Sequence, residues 1–550
     1  MIGFPSGPRP TWPRRRIGPA FASHGMIAAA HPLTAETGLQ VLKAGGNAVD
    51  AAVAAGLTAA VVMPEMCGLG GDLFAIVQPP GQAPVAVLGS GIAPRAATLE
   101  QMRAAGDGTR MPLDGPLSIG VPGMVHAYGA LLERFGTQSL ASLAAPAIGH
   151  AEQGFAITTL GWAAIDAFAK LIGRCPATAA VLMPGGRAPR PGEVLRQTDL
   201  ARTLRAIVAE GPAVFYQGEL ARRMADAVRE LGGALSADDL AGHETVLEPT
   251  IATTYRGHII HQTGLPSQGM ILLEALNIAE NAAGEVLAAG DAAAVHILVE
   301  ATKLAYADRM AFAMDPAFGP TPLNRLLSKP WAARRFAEID PARSAEASAG
   351  GVMADGDTTY LCVVDADGMM VSLIQSVSSA FGSGVIAGDT GVILNNRVGR
   401  GFSLDEGHPN LFAPGKKTMH TLNCWSMQDA DGVPIMVGGT PGGDGQPQWN
   451  LQMLVGLIDG GLDVQAATEA PRWSMWPGTD PANRPNPYRL EVETRLSDET
   501  RASLVALGHR LRPMGGWGAG GAAQIIARDP ATGVLAGGSD PRVEGLALGF

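Results

Sequence analysis

A change of texture near residue 340 restricts the fold more than any other feature of this 550-residue chain. Residues 344–357 (SAEASAGGVMADGD) are small and polar, carry no apolar period, and read as an exposed, flexible segment. Directly behind them, Thr358-Thr-Tyr-Leu-Cys-Val-Val364 is apolar and β-branched, the pattern of a buried strand. Asp365-Ala-Asp-Gly368 makes a turn, and residues 370–374 return as a second strand, so the pair is a hairpin. Further strands are expected at 25–30, 73–77, 392–394, 434–437 and 523–526. Helices are expected at 32–44, with Thr34 as cap and Gly45-Gly46 as stop, at 47–62, over most of 125–240 apart from 184–194, at 292–312 and at 451–460. No fixed-period repeat is present. Helices mixed with hairpins imply helix layers packed on antiparallel sheet.

Composition excludes several classes of function. A net charge of −11 argues against a nucleic-acid partner, which needs a basic surface. The apolar stretch 51–64 is too short for a membrane span of roughly 20 residues. Arg14, Arg15 and Arg16 precede a weakly apolar run, but Ser23, His24 and His31 interrupt it, so a cytoplasmic protein is expected rather than an exported one. The four cysteines are scattered and read as buried or free thiols of a reducing compartment. Neither HExxH nor GxxxxGK[ST] occurs, so neither a metal, a nucleotide nor any other cofactor is expected.

A flexible segment that delivers Asp357-Thr358 into a buried strand suggests a chemical purpose. A threonine hydroxyl is a weak nucleophile and needs a base beside it. Cleavage of the bond before Thr358 would supply one, because the new α-amine titrates near pH 8 and sits on the same residue. The plainer reading is that Thr358 and Thr359 merely open a strand.

Several motifs decide between these readings: Asp357-Thr-Thr-Tyr360, Val363-Val-Asp-Ala-Asp-Gly368, Phe381-Gly-Ser-Gly-Val-Ile-Ala-Gly388 and Gly391-Val-Ile-Leu-Asn-Asn396. With them stand Gly45-Gly-Asn-Ala-Val-Asp-Ala-Ala52, Gly68-Leu-Gly-Gly71, Val121-Pro-Gly123, Lys303-Leu-Ala-Tyr-Ala-Asp-Arg309, Asp315-Pro316 and Thr440-Pro-Gly-Gly443. Together, and in this order, they resemble the γ-glutamyltransferase family of N-terminal nucleophile hydrolases. The resemblance implies an α+β fold, a four-layer αββα sandwich formed jointly by two chains of one precursor. After a lead of 1–24, these would be a large chain, 25–357, and a small chain, 358–550. It also implies autoproteolysis between Asp357 and Thr358, with Thr358 attacking the Asp357 carbonyl. Ser376 takes the place of a family threonine that hydrogen-bonds the nucleophile. Gly442 and Gly443 match the family's oxyanion hole, where two backbone N–H groups meet the developing alkoxide.

The amino-acid end of a γ-glutamyl substrate loses its expected partners. The family arginine that grips the α-carboxylate falls on Ser90, the acidic residue that binds the α-amine falls near Arg400, and the paired serines fall on His420 and Thr421. Instead, Asn396, Arg397 and Arg400 place two guanidiniums near the acyl pocket, where they suit a carboxylate. Asp72 follows the glycine-rich turn and could cap a helix or line the pocket; it is assigned no role. The pattern resembles the oxamate amidohydrolase-like branch and is similar to glutaryl-type acylases. The expected substrate is a small amide with an anionic acyl group. γ-Glutamyl hydrolysis or transfer to an amine acceptor, and a catalytically silent binding protein, are the competing readings; the oligomer, homodimer or heterotetramer, stays open.

Overall fold

Side-chain alternation in the strand Thr359–Val364 organises the molecule. Leu361 and Val363 pack among Ile27, Leu73, Ala75 and helical residues, whereas Tyr360, Cys362 and Val364 pack among Phe74, Ile374, Val437 and Ile526. A period of two sends successive residues to opposite faces, so this strand is buried by different partners on its two sides. The computed structural model describes residues 2–5, 12–345, 358–479, 481 and 487–550.

Two seven-stranded antiparallel sheets result. The first runs Leu546–Gly549, Met26–Ala29, Thr359–Val364, Met370–Ser376, Asp72–Gln78, Val85–Gly89, Val246–Pro249. The second runs Ala20–Ala22, Leu535–Ser539, Gln524–Arg528, Pro434–Gly439, Trp425–Gln428, His258–Gln262, Ile251–Tyr255. Their inner faces share one apolar layer. The outer face of the first is covered by helices that include Pro32–Lys43, Ala48–Val62 and Leu140–Gln153; that of the second by Gly269–Ala279, Ala292–Phe312 and Gly445–Ile458. This is the four-layer αββα sandwich that the resemblance implied.

All fifteen residues of Ala48–Val62 are buried, and Asn47 starts the helix through a capping box with Asp50. Each fully buried valine or leucine there contributes about 1.5–3 kcal/mol by leaving water. Strand Ala20–Ala22 ties the N-terminal lead to the second sheet by pairing with Leu535–Ser539. No helix among the described residues is long and apolar enough to cross a membrane.

Three local expectations are corrected. Thr34 does not cap the first helix. Pro32 occupies the first turn, which suits proline, so the cap is the preceding His31, whose Nδ1 accepts from Leu33 N at 3.2 Å. Residues 392–394 form only isolated bridges, Ile386 with Ile393 and Gly70 with Leu394. Backbone crowds there, since a Cβ on Gly70 would lie 2.2 Å from the Ile393 carbonyl oxygen. The segment that begins at Ser344 is not exposed at its start: Ser344 is buried and accepts from Lys303 Nζ at 2.9 Å. Its remainder, 346–357, lies outside the described residues, and Asp357 with it.

Candidate active site

Strand register assembles the site. Thr359 pairs with Gln375, which brings Thr358 level with Ser376; Ser376 pairs with Asp72, and Leu73 with Gly89, which brings Ser90 level with Asp72. Alternation then puts Thr358, Ser376, Asp72 and Ser90 in one polar row on the inner face of the first sheet. The row behind it is Tyr360, Ile374, Phe74 and Leu88, all within the apolar layer between the sheets. The hydroxyls thus sit at the rim of a dry layer.

Thr358 is 3% exposed, and its Oγ1 donates to Ser376 Oγ at 3.0 Å. Ser376 Oγ also accepts from Ser378 N at 2.7 Å. Ser378 adopts φ +91°, a left-handed conformation that costs a non-glycine residue about 1–3 kcal/mol. The turn that follows Ser376 is held in this shape partly by Arg400, whose Nη1 donates to Ser378 O at 2.8 Å.

Beyond Ser376 the interior is filled. Asp72 Oδ2 accepts from His420 Nε2 at 3.0 Å and from Arg397 Nε at 3.2 Å. His420 Nδ1 accepts from Leu422 N, which leaves the ring proton on Nε2, facing Asp72. Burial, then the Arg397 guanidinium, lowers His420 to about 4, so the ring is neutral at pH 7. Burial opposes ionisation of Asp72, but the His420 hydrogen bond and Arg397 outweigh it and hold the carboxyl below its usual range. Arg397 Nη1 reaches Thr421 Oγ1 at 3.3 Å. Ser90 Oγ is buried without a hydrogen-bond partner. Asn396 is committed to the surrounding loops: it accepts from Ser379 N and donates to Leu113 O and Ser379 Oγ. The structure therefore gathers Ser90, Arg397, His420 and Thr421 around Asp72, the residue to which the sequence reading gave no role. Of the two guanidiniums, Arg400 reaches open volume.

On the opposite wall, Gly442 (φ +129°) and Gly443 (φ +53°) lead into helix Gly445–Ile458. A Cβ on Gly442 would meet the Trp449 ring at 2.1 Å, so only glycine fits. Among the described residues neither N–H donates to an acceptor. Their directions are set by the carbonyls of the same peptide planes. Pro441 O accepts from Thr440 Oγ1 at 3.0 Å and Gly442 O from Gly445 N at 2.8 Å. Gly442 lines a cavity of about 70 Å³ together with Thr358, His31 and Glu65. Two free N–H groups beside a hydroxyl can stabilise an oxyanion during acyl transfer.

Sequence reasoning missed Gln268. Its Nε2 donates to Gly443 O at 2.8 Å and to Thr421 O at 2.6 Å, which ties the glycine turn to the His420–Thr421 loop. Arg309 belongs to a motif already noted, but its task was not legible: it pairs with Asp444 at 2.9 Å, directly after Gly443. Both contacts span more than 130 residues, so no local pattern announces them.

Among the described residues, His296, Glu300 and His509 are spaced to hold a metal ion. The Lys303 ammonium already pairs with Glu300 at 2.7 Å and supplies the positive charge there.

Comparison with known proteins agrees with the fold. Residues 34–550 match the family model described as gamma-glutamyltranspeptidase. The chain is 37% identical over 533 residues to the glutathione hydrolase-like YwrD proenzyme of Bacillus subtilis, covering 96% of this chain and 98% of that one. It is 36% identical over 539 residues to the oxamate amidohydrolase proenzyme of Klebsiella pneumoniae, covering 96% and 99%. A solved structure of cephalosporin acylase from Bacillus halodurans superposes with a TM-score of 0.89 at 36% identity, covering 100% of this chain and 99% of that one.

Proposed function

The chain belongs to the gamma-glutamyltranspeptidase family, and from that premise we propose that it is a self-processing amidohydrolase for amides with a small anionic acyl group. The observation that carries the reading is the row Thr358–Ser376–Asp72: a buried hydroxyl on a cavity that Gly442 also lines, with the space beyond it taken by Asp72, His420 and Arg397.

Maturation follows from the same atoms. Thr358 Oγ attacks the Asp357 carbonyl carbon, the peptide C–N bond breaks, and the acyl group moves to oxygen. That step frees the Thr358 α-amine, which takes the Oγ proton; water then hydrolyses the ester, releasing the Asp357 carboxylate and restoring the Thr358 hydroxyl. In turnover that amine takes the Oγ proton, Oγ attacks the substrate carbonyl, and the oxyanion is held by the Gly442 and Gly443 N–H groups. The proton passes to the leaving nitrogen, the C–N bond breaks, and water releases the acyl group from Thr358. Ser376 fixes the hydroxyl rotamer.

The acyl preference rests on charge. Arg397 pairs with Asp72 inside the sheet, whereas Arg400 lines the open volume beside Gly442, where its guanidinium can meet a carboxylate. A substrate ammonium finds no free carboxylate in the row. Packing by His420 favours a two-carbon, oxamate-like acyl group over a glutaryl-type one. Relatives named as oxamate amidohydrolase and as acylase proenzymes support amide hydrolysis as the chemistry.

Two measurements test this. Denaturing electrophoresis of the wild type should show bands near two-thirds and one-third of 56.6 kDa, and Thr358→Ala should remain one band. A screen of oxalyl, malonyl, succinyl, glutaryl and γ-glutamyl anilides should favour the short anionic acyl groups over γ-glutamyl by about ten-fold or more. Equal hydrolysis of the γ-glutamyl anilide overturns the acyl assignment.

A further inference from the structure

Thr358 is closed in toward Asp72 and His420, but on the side that runs from Arg400 past Gly442 the structure opens. The small cavity at Thr358 shares Met66, Leu160, Gly442, Gly521 and Val543 with a groove of about 580 Å³. That is the size of a site for a drug-sized molecule, and ammonia or methylamine would leave it nearly empty. From Arg400 and Gly442 the groove passes Trp449 and continues along Trp476, Met514 and Trp517.

The three indoles are fixed before any ligand arrives. Trp449 Nε1 donates to Ser474 Oγ at 2.9 Å, and its ring packs on Gly442, Gly445, Gly520 and Gly521. The Arg489 guanidinium lies 3.7 Å from the Trp476 ring centroid. The Arg495 and Arg15 guanidiniums lie 3.5 Å and 4.6 Å from that of Trp517. Trp449 and Trp476 show the groove only an edge, at 6% and 5% exposed, whereas Trp517 is half-buried and presents the larger ring surface. Rings immobilised by their own protein lose little freedom when a ligand lies against them, so the area they do expose counts toward affinity. Aliphatic ammonium groups gain nothing special here, because the guanidiniums already hold two of the rings.

We infer that this groove is the subsite for the leaving amine, and that the amine carries a flat, apolar ring. The inference rests on the amidohydrolase reading and names the half of the substrate that reading leaves open. With the short acyl carboxylate at Arg400 and the scissile carbonyl at Gly442, the nitrogen substituent extends past Trp449 into the groove. When the Thr358 Oγ–C bond forms and the C–N bond breaks, the nitrogen takes the proton carried by the α-amine. The ring-bearing amine then departs along the groove as water enters.

The test holds the acyl group constant, at the one the anilide screen prefers, and compares its ethylamide with its phenethylamide, two alkyl amides of similar intrinsic reactivity. The phenethylamide should show kcat/KM higher by about ten- to a hundred-fold, the effect of burying one ring. Trp517→Ala should cut that ratio at least about five-fold. A ratio measured within one preparation is insensitive to the fraction of folded, matured enzyme. Equal kcat/KM for the two amides overturns the inference while leaving the acyl assignment standing, and so does a ratio unmoved by Trp517→Ala. If neither amide nor any anilide is hydrolysed, the amidohydrolase reading itself falls, and this inference with it.

Discussion

The two sides of Thr358 are built on opposite principles. Toward Ser376, charged groups are sealed in: Arg397 and His420 both pair with Asp72 in the sheet interior, with side chains at most 4% exposed. Toward Gly442 and Gly521, apolar rings line an open groove. The contrast teaches how one nucleophile can be strict about one half of a substrate and permissive about the other. A filled charged region excludes by volume and by unpaired charge, whereas a groove whose rings stand among already paired charges such as Glu491 and Arg542 ranks ligands mainly by the area they bury.

Acid should break the comparison most severely. His420 on the sealed side and His31 beside the cavity are both lowered by burial to about 4. The unfolded chain binds these protons near pH 6.5, so the native state is at full stability above that value. It loses stability as pH falls from about 6.5 toward about 4, by several kcal/mol in total. A melting temperature that is flat across pH 7–8 and drops through this window is expected; no drop would mean that the histidines are solvated.

Asp72→Ala removes the shared counter-charge and leaves Arg397 buried beside an unpaired His420. A loss of about 3–5 kcal/mol in a urea or guanidinium titration is expected. A loss below about 1 kcal/mol would show that the sealed side is held by packing and not by charge. On the other wall, Gly442→Ala must move either the turn or Trp449. It should lower kcat by about 10²–10³, with far-ultraviolet circular dichroism unchanged. Unimpaired turnover would remove this turn from the oxyanion role. Arg400→Ala should have the smallest effect, about ten-fold in kcat/KM for an anionic acyl amide. An unchanged value would place the acyl carboxylate elsewhere.

What was legible in the sequence was local. The hairpin of 358–364 and 370–374 and the almost wholly apolar helix at 47–62 announce themselves through period and composition, as does the helix at 292–312. Through its motifs, the family resemblance carried the sandwich and the attention to Thr358, Ser376, Gly442 and Gly443. The centre of the sealed side was not legible, because Asp72 on a strand, Arg397 at the start of a short helix and His420 in a loop come from three distant stretches that only the tertiary fold brings together. Gln268 was invisible for the same reason. The first helix cap was misread because Thr34 has the preferred chemistry, while Pro32 moves the start of the helix one residue behind itself. Residues 392–394 have strand composition, yet the glycine-rich approach at Gly70 allows them only single bridges.

The strand order has a further consequence. In the first sheet, Thr359–Val364 lies between Met26–Ala29, which precedes the proposed cut, and Met370–Ser376, which follows it; the second sheet likewise mixes both portions. Once the link at 357–358 is severed, the two pieces can part only by unzipping both sheets, so scission leaves the assembled body intact. Reassembly from separated pieces, however, becomes a second-order encounter that slows with dilution, whereas the uncut chain folds at a rate independent of its concentration. Activation would thus be a one-way passage: the molecule gains its amine by giving up the continuity that let it find its shape alone.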